Sequence, residues 1–488
     1  MTTFDLAVIG AGPTGMAAAV LATELGLATV LIDEQASPGG QIYKGIERFR
    51  PNSPFRPDYA AGRPLVTALR ASSVDYRPGT TLWHVDPDGT LYLERGGHTE
   101  TVTAGRVLLA TGALERPVPI PGWTLPGVMT VGAAQTLLKS SDFVPEGHVV
   151  LAGQGPLLYL LAAQLASAGA PPIAVLETTP MENYFGAAGC SRGLWPGRRM
   201  LLRGLHLALA VKRAGIPVRR GVSRLRAAGQ ARLERVLWQG GELAADHLFL
   251  HEGVIPNVQI SLALQLPHLW DDRQLCWRPA LDPWGQTSLP NIAIAGDSGG
   301  IAGAEAAALS GRLAALDAAK QLGRIGESER NTRSLPIRAA LDHELALRPF
   351  LDRLYSPPRS VLVPAEDEVI ACRCEEVSVA QIRRAARLGA PGPNQLKAFT
   401  RCGMGPCQGR ICGPIVSAVI ADALGKSIAE IGTYRPRAPF KPITLGALAD
   451  LDLRHDGQEP SEALSLAIPH PPADAGPSFS PLAGRGLG

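Results

Sequence analysis

A glycine turn fifteen residues into the chain decides most of what the chain can fold into. DLAVIG reads as a short strand, TGMAAAVLATELG as a helix and ATVLIDE as a second strand, with the turn GAGPTG between the first strand and the helix. Strand, helix and parallel strand make one βαβ unit, for which a right-handed crossover is the default. Gly10, Gly12 and Gly15 fall in a G-x-G-x-x-G pattern, with Pro13 inside the same turn. The first glycine makes the tight bend, the second lets backbone approach a pyrophosphate, and the third lets helix and strand pack closely while the helix N-terminus faces the anion. Asp33 follows at the end of the second strand, where a carboxylate can grip ribose hydroxyls, and Glu34 beside it is the fallback. With strand, helix and acid in register, the pattern predicts a bound nucleotide rather than an empty turn.

A second unit of the same kind runs from HVVLAGQGPLLYLLAAQLASAG to IAVLE. Its turn, Gly153-Gln154-Gly155, lacks the third glycine, and Leu158 stands in that place, although Glu177 does sit at the strand end. This reads as a retained scaffold in which NAD(P) is not expected. The apolar stretch 156–177 is broken by Gly169, Pro171 and Pro172 into a helix and a strand, so it does not read as a membrane span. Further on, NIAIAGDSGG (291–300) gives another strand and glycine turn before a long helix. Residues from about 335 to 365 are Pro- and Arg-rich and read as a linker, and the final segment, rich in Pro, Gly, Ser and Ala, as a surface-wrapping or mobile tail.

Five of the seven cysteines crowd into 372–412, in CRCEE and TRCGMGPCQGRICGP. An odd count with this spacing suits a metal rather than a disulfide framework. The start, MTTFDLAVIG, has no export signal, so the expected compartment is a cytosol that keeps thiols reduced. A C-x-C pair followed by a C-x4-C pair in a glycine-rich loop is what an iron–sulfur cluster needs, because four thiolates must converge and backbone must approach the sulfurs. Cys402 with Cys407 and Cys407 with Cys412 are both C-x4-C, so two pairings are open. Structural zinc is the plain alternative, although the tight C-x-C argues against it. Cys190 and Cys276 read as buried apolar residues. The ten histidines show no ligand spacing, and His251 reads as a structural histidine that could approach a cofactor. A net charge of +3 implies no nucleic-acid partner, and the basic stretch 196–221 reads first as a solvated helix face, with subunit docking second.

ATG at 110–112 and AGD at 295–297, each closing a strand, resemble the flavoprotein pyridine-nucleotide-disulfide reductase superfamily. The resemblance implies that Asp297, with Gly296, binds the ribityl chain of FAD, that Thr111 and Gly112 border the site, and that Gly40 and Gln41 of SPGGQ lie beside the flavin or its phosphates. The superfamily's redox C-x-x-C is missing, since no cysteine precedes Cys190, so disulfide reduction is not expected. The cysteine region resembles the bacterioferritin-associated-ferredoxin-like [2Fe–2S] domain, whose motif GMGPCQGxxCG matches Cys407 and Cys412. On that likeness the ligands are Cys372, Cys374, Cys407 and Cys412, with Cys402 a nearby spare.

Over residues 4–435, the segments IDEQASPGGQIY, LLATGALERPVPIPGWTLPGV, LHEGVIPN and GMGPCQGRICGP resemble the α subunits of bacterial opine and D-hydroxyproline dehydrogenases, relatives of hydrogen cyanide synthase and sarcosine oxidase α. The fold this implies is α/β, a two-dinucleotide-binding-domain, disulfide-reductase-like flavoprotein with a small helical [2Fe–2S] domain. Its expected parts are an FAD-binding domain (1–125 and 275–335), a second dinucleotide-binding-like domain (126–274), a linker (336–365), the cluster domain (366–435) and the tail (436–488). The expected cofactors are FAD and a [2Fe–2S] cluster, with FMN at a subunit boundary in some members. The expected partner is a smaller FAD-containing β subunit resembling D-amino-acid or glycine oxidase, which oxidises the substrate. A flavin takes two electrons together and a cluster takes one, so this chain would relay electrons from C–N bond oxidation to an external acceptor. Three other readings stay open: a self-sufficient NAD(P)H-dependent FAD/[2Fe–2S] reductase, a glycine-oxidising subunit of the hydrogen cyanide synthase type, and a structural subunit holding zinc.

Overall fold

The computed structural model describes residues 2–48, 55–190, 193–449 and 451. Two open sheets carry the nucleotide-type turns. In the first, β1 (Thr2–Ile9) lies between β2 (Thr29–Asp33) and the long strand His98–Leu109, parallel to both. Asp75–Pro78 extends the sheet beyond β2. The long strand serves two purposes. Its first half pairs antiparallel with Thr90–Arg95, which pairs in turn with Thr81–Val85, while its last three residues pair parallel with Ile292–Ile294. Residues nearly two hundred positions apart thus end at one sheet edge, the carboxyl edge where open α/β sheets bind ligands.

Helix α1 (Pro13–Glu24) covers one face and crosses the helix Ala304–Gln321 closely. Alanines allow that approach: Ala18, Ala19, Ala315 and Ala319 are all fully buried, and a Cβ at Gly311 would fall 2.3 Å from the Thr14 carbonyl oxygen. The second sheet is parallel throughout, in the order Val218–Arg219, Ala174–Glu177, Val149–Gln154, His247–Glu252, Val128–Thr130. An antiparallel ribbon, Ala113–Glu115 with Val254–Pro256, joins the two bodies.

The cysteine region forms a third body with its own core. Helices Val379–Arg387, Pro393–Thr400 and Gly413–Leu424 enclose Ile382, Leu396, Ile415 and Val419. Ser378 and Gln381 form a reciprocal capping box that fixes where the first of these helices begins.

Residues 336–365, expected as a linker, are mostly helical. Glu327–Leu345 runs straight through Pro336, and Arg348–Leu354 follows. A proline in a helix removes one backbone hydrogen bond. Here the buried Arg330–Asp317 pair, 2.7 Å apart, and Ile337 packed on Leu313 and Leu316 outweigh that loss. The basic helix Arg198–Arg213 is exposed, as expected of a solvated face, yet it also leaves leucines in solvent. The first part of the expected tail returns to the first sheet, where the Phe440 N–H donates to Trp83 O and Lys441 pairs with Glu34. Residues 452–488 of that tail lie outside the described residues. Among the described residues no helix is long and apolar enough to cross a membrane.

Candidate cofactor sites

At the carboxyl edge of the first sheet, three chain segments leave their strands side by side. Gly10 N–H donates to Ile32 O, Ala110 N–H to Ile9 O and Ala295 N–H to Leu109 O. These bonds draw together Gly10–Gly15, Thr111–Gly112 and Gly296–Asp297. The glycines differ in what they do. A Cβ at Gly10 would lie 2.5 Å from Ala110 O, and one at Gly15 would lie 1.8 Å from Gly10 O, so both are required by the fold. Gly12 is different, for its nearest neighbour would be the Gly40 Cα at 3.9 Å. A Cβ there would make only ordinary contact with Gly40, so the fold itself does not demand glycine at this position, whereas backbone approach to a pyrophosphate would. Gly39 N–H donates to Ala11 O, holding SPGGQ against the turn, and Gln41 is exposed at the end of that loop.

Asp33 holds the turn from below. One carboxylate oxygen accepts from Ala11 N–H and the other from Gln35 N–H at 2.7 Å. Burial raises its pKa, and the two backbone donors oppose that rise. The carboxylate therefore fixes the loop geometry. Glu34, the alternative, points outward to Lys441 at 2.9 Å. Asp297 Oδ1 accepts from Ala302 and Gly303 N–H groups, setting the start of the helix Ala304–Gln321. Gly296 lies so close to Thr14 that a Cβ there would meet its Oγ1 at 2.0 Å. No neighbour stands within 4 Å of a Cβ built on Gly112. Tight glycines behind and open ones in front fit a flat dinucleotide laid across the edge.

The second turn has a different interior. Leu158 is fully buried where a third glycine would stand. Glu177 accepts from Tyr159 at 3.0 Å, Tyr184 at 2.9 Å and Thr179 at 3.3 Å, and Arg220 reaches it at 3.3 Å. A carboxylate so engaged has little left for a ribose. His251 packs under this turn and not the first, with Nδ1 2.7 Å from Glu115 Oε1. Glu252, on the same strand, is buried and its carboxyl is pushed up to about 7 by desolvation.

In the third body all five clustered cysteines come together, in two groups. Cys372, Cys402 and Cys412 are buried with sulfurs within 4.8 Å of one another, and Cys374 Sγ lies 3.7 Å from Cys407 Sγ on the exposed side. Cys402, expected as a spare beside the site, thus lies inside the buried triad. Hydrogen bonds from Cys402 and Cys412, and from the Gly403 and Glu375 backbone, pull the Cys372 thiol far below its ordinary range, while Cys402 and Cys412 are pushed up. Glycines keep the loop thin, since a Cβ at Gly405 would meet Cys374 Cβ at 2.3 Å and one at Gly403 would meet the Tyr434 ring at 2.5 Å. Converging thiols and close backbone donors fit a thiolate-bound metal centre. Cys276 is buried as expected, whereas Cys190 is only half-buried.

The chain matches the family model described as pyridine nucleotide-disulphide oxidoreductase over residues 4–311, which implies a flavin, and the sarcosine oxidase A3 domain over 371–451. The chain belongs to the pyridine nucleotide-disulphide oxidoreductase family. This flavoprotein is 44% identical over 466 residues to the A subunit of opine oxidase from Agrobacterium tumefaciens (strain Ach5), covering 92% of each chain. It is 34% identical to the HcnB subunit of hydrogen cyanide synthase from Pseudomonas aeruginosa, over 91% of this chain and 98% of that one. The L-proline dehydrogenase structure from P. horikoshii shares its fold, with a TM-score of 0.65 at 21% identity over 92% of this chain and 79% of the other. These likenesses make it an oxidoreductase whose relatives are subunits of larger enzymes.

Proposed function

We propose that this flavoprotein is the electron-transferring subunit of a heteromeric dehydrogenase acting on an opine or a related amino acid such as D-hydroxyproline. FAD would sit on Gly10, Gly12, Gly15, Asp33, Gly40, Thr111, Gly112 and Asp297, and a [2Fe–2S] cluster on Cys372, Cys374, Cys407 and Cys412. When bound, the flavin supplies two-electron chemistry and the cluster one-electron chemistry.

One observation carries the reading: the two cradles are tied by a short bonded path. Asn257 N–H donates to Gly112 O, and Gln259, two residues on, accepts from Arg410 at 3.0 Å. Arg410 lies between Cys407 and Cys412. These residues tie the proposed flavin turn to the cysteine loop; on this reading, proton abstraction from substrate belongs to another chain. That chain would be a smaller FAD-containing subunit resembling D-amino-acid or glycine oxidase. The engaged Glu177 speaks against a self-sufficient NAD(P)H reductase.

The test is anaerobic isolation of the chain alone and with its partner. The expected result is FAD and two irons per chain, with opine or amino-acid oxidation only when both subunits are present. Full turnover by the chain alone would overturn the division of labour, and zinc in place of iron would overturn the relay.

A further inference from the structure

An open cleft of about 580 Å³ lies between the helices Ala304–Gln321, Glu327–Leu345 and Arg348–Leu354 and the hairpin of His268–Asp271 with Cys276–Pro279. Small-molecule sites run to about 300–1,000 Å³, so the cleft is large enough for one. Leu281, Trp284, Leu341 and Leu345 give it apolar walls. Its lining also carries three aspartates and three arginines, and these are unequally satisfied. Asp271 pairs with Arg278 at 3.4 Å, and Asp282 Oδ1 accepts from the Trp284 and Gln286 N–H groups at 2.8 Å. Asp352 accepts from Arg348 and from Gln274. The arginines are less engaged. Arg348 gives one nitrogen to Asp352 while its buried Nε has no partner, and among the described residues nothing pairs with the Arg273 guanidinium. The unmet capacity of this cleft is cationic N–H, which the two oxygens of a carboxylate can meet.

We propose that the cleft binds an organic carboxylate with an apolar body, the anion on Arg348 and Arg273 and the body against Trp284 and Leu341. This site goes beyond the electron-transfer role proposed above and does not depend on it. One wall of the cleft is also the loop that carries Asp297. Gln274 Nε2 donates to Ile301 O at 3.0 Å and to Asp352 at 3.4 Å, and its Oε1 accepts from Ile301 N–H at 3.3 Å. The next residue, Ala302, supplies one of the two N–H groups that hold Asp297 Oδ1. A carboxylate that engages Arg348 competes with Asp352, and Asp352 is bonded to the side chain that grips Ile301. Occupancy of the cleft thus reaches the seat of Asp297 through Asp352 and Gln274.

The experiment is calorimetric titration of the full chain, as purified, with 2-naphthoate, a carboxylate on a rigid apolar body. 2-Naphthylmethylamine and inorganic phosphate are the comparisons. Naphthoate should bind saturably, and the other two should not. Arg348→Leu should weaken naphthoate at least about tenfold, the scale of one charge-assisted hydrogen bond. Arg273→Glu, on an exposed turn, should weaken it about fivefold or more and carries the test where Arg348→Leu does not fold. Arg95→Glu, at the exposed end of Thr90–Arg95, should leave binding unchanged. Hydrogen exchange over residues 296–303 should slow with naphthoate bound, and Gln274→Met should abolish that slowing while the chain still binds. Absence of saturable binding overturns the proposal, as does equal binding of the amine or of phosphate, or naphthoate binding that Arg273→Glu leaves untouched. Binding without any change of exchange at 296–303 overturns the link to Asp297.

Discussion

Gly12 and Gly15 sit three residues apart in one turn and answer to different constraints. Gly15 has no room, because its Cβ would overlap the Gly10 carbonyl. Gly12 has ordinary extended geometry, with φ −75°, and a Cβ there would make only ordinary contact with Gly40 at 3.9 Å. Gly15→Ala should therefore destabilise the apoprotein by about 2 kcal/mol or more. Gly12→Ala should leave its melting temperature unchanged and lose only the flavin, read by visible absorbance of the purified protein. Equal melting losses in both would show that Gly12 is also a packing residue. The cysteines allow a similar separation. If Cys372, Cys374, Cys407 and Cys412 hold the cluster, Cys412→Ser should lose its iron and Cys402→Ser should keep two irons per chain; iron loss in the second variant would place Cys402 among the ligands. Spacing in the sequence brought all five thiols into view but could not rank them, because Cys402 and Cys407 stand in the same C-x4-C relation as Cys407 and Cys412. Ranking needs the depth of each sulfur, and depth depends on which helices close over the loop.

The strand His247–Glu252 shows what an element adds to a residue. Its last carboxyl is buried in the second body and accepts from Thr178 at 2.6 Å, with its other oxygen unpartnered. A folded value near 7, against an ordinary one near 4.5, has a definite sign. Below about pH 4.5 both folded and unfolded chains hold the proton, and the stability linked to it is fully present. Between 4.5 and 7 only the folded chain keeps it, so stability falls by about 1.4 kcal/mol per pH unit. Glu252→Gln should remove that slope and be more stable than the parent at pH 8 by on the order of 3 kcal/mol. Urea unfolding at pH 5 and pH 8 checks this, and parallel slopes in the two proteins would refute it. The same body explains where sequence reading stopped. The glycine turn, Leu158 and Glu177 were all visible as a flawed nucleotide site. That Tyr159, Tyr184, Thr179 and Arg220 would converge on Glu177 was not, since three of the four come from other elements of the fold. Pro336 misled in the opposite direction, because local propensity signals a break while tertiary packing holds the helix through it.

On the scale of the whole molecule, the third body is held on the other two by a few polar joints. Trp123 Nε1–H donates to Ile370 O at 2.7 Å, Arg410 reaches Gln259, and Gln408 donates to Pro439 O. Gln259 is the busiest of these, for its buried amide also donates to Phe440 O at 3.0 Å. Phe440 is itself buried against the first sheet. One side chain on the short helix Gln259–Ala263 thus ties the cysteine loop and the returning tail to the nucleotide-type bodies. Composition alone showed the tail only as an aperiodic wrap, and one phenylalanine set among prolines gave no sign that it would insert. Gln259→Leu keeps the volume but strips both partners of their bonds, each worth about 1–3 kcal/mol when buried. Hydrogen exchange across residues 402–412 and at Phe440 should then rise roughly tenfold or more, while β1 stays protected. Exchange that rises evenly through all three bodies would mean that Gln259 supports the general core. No change at all would mean that Trp123 and Gln408 hold the third body without it.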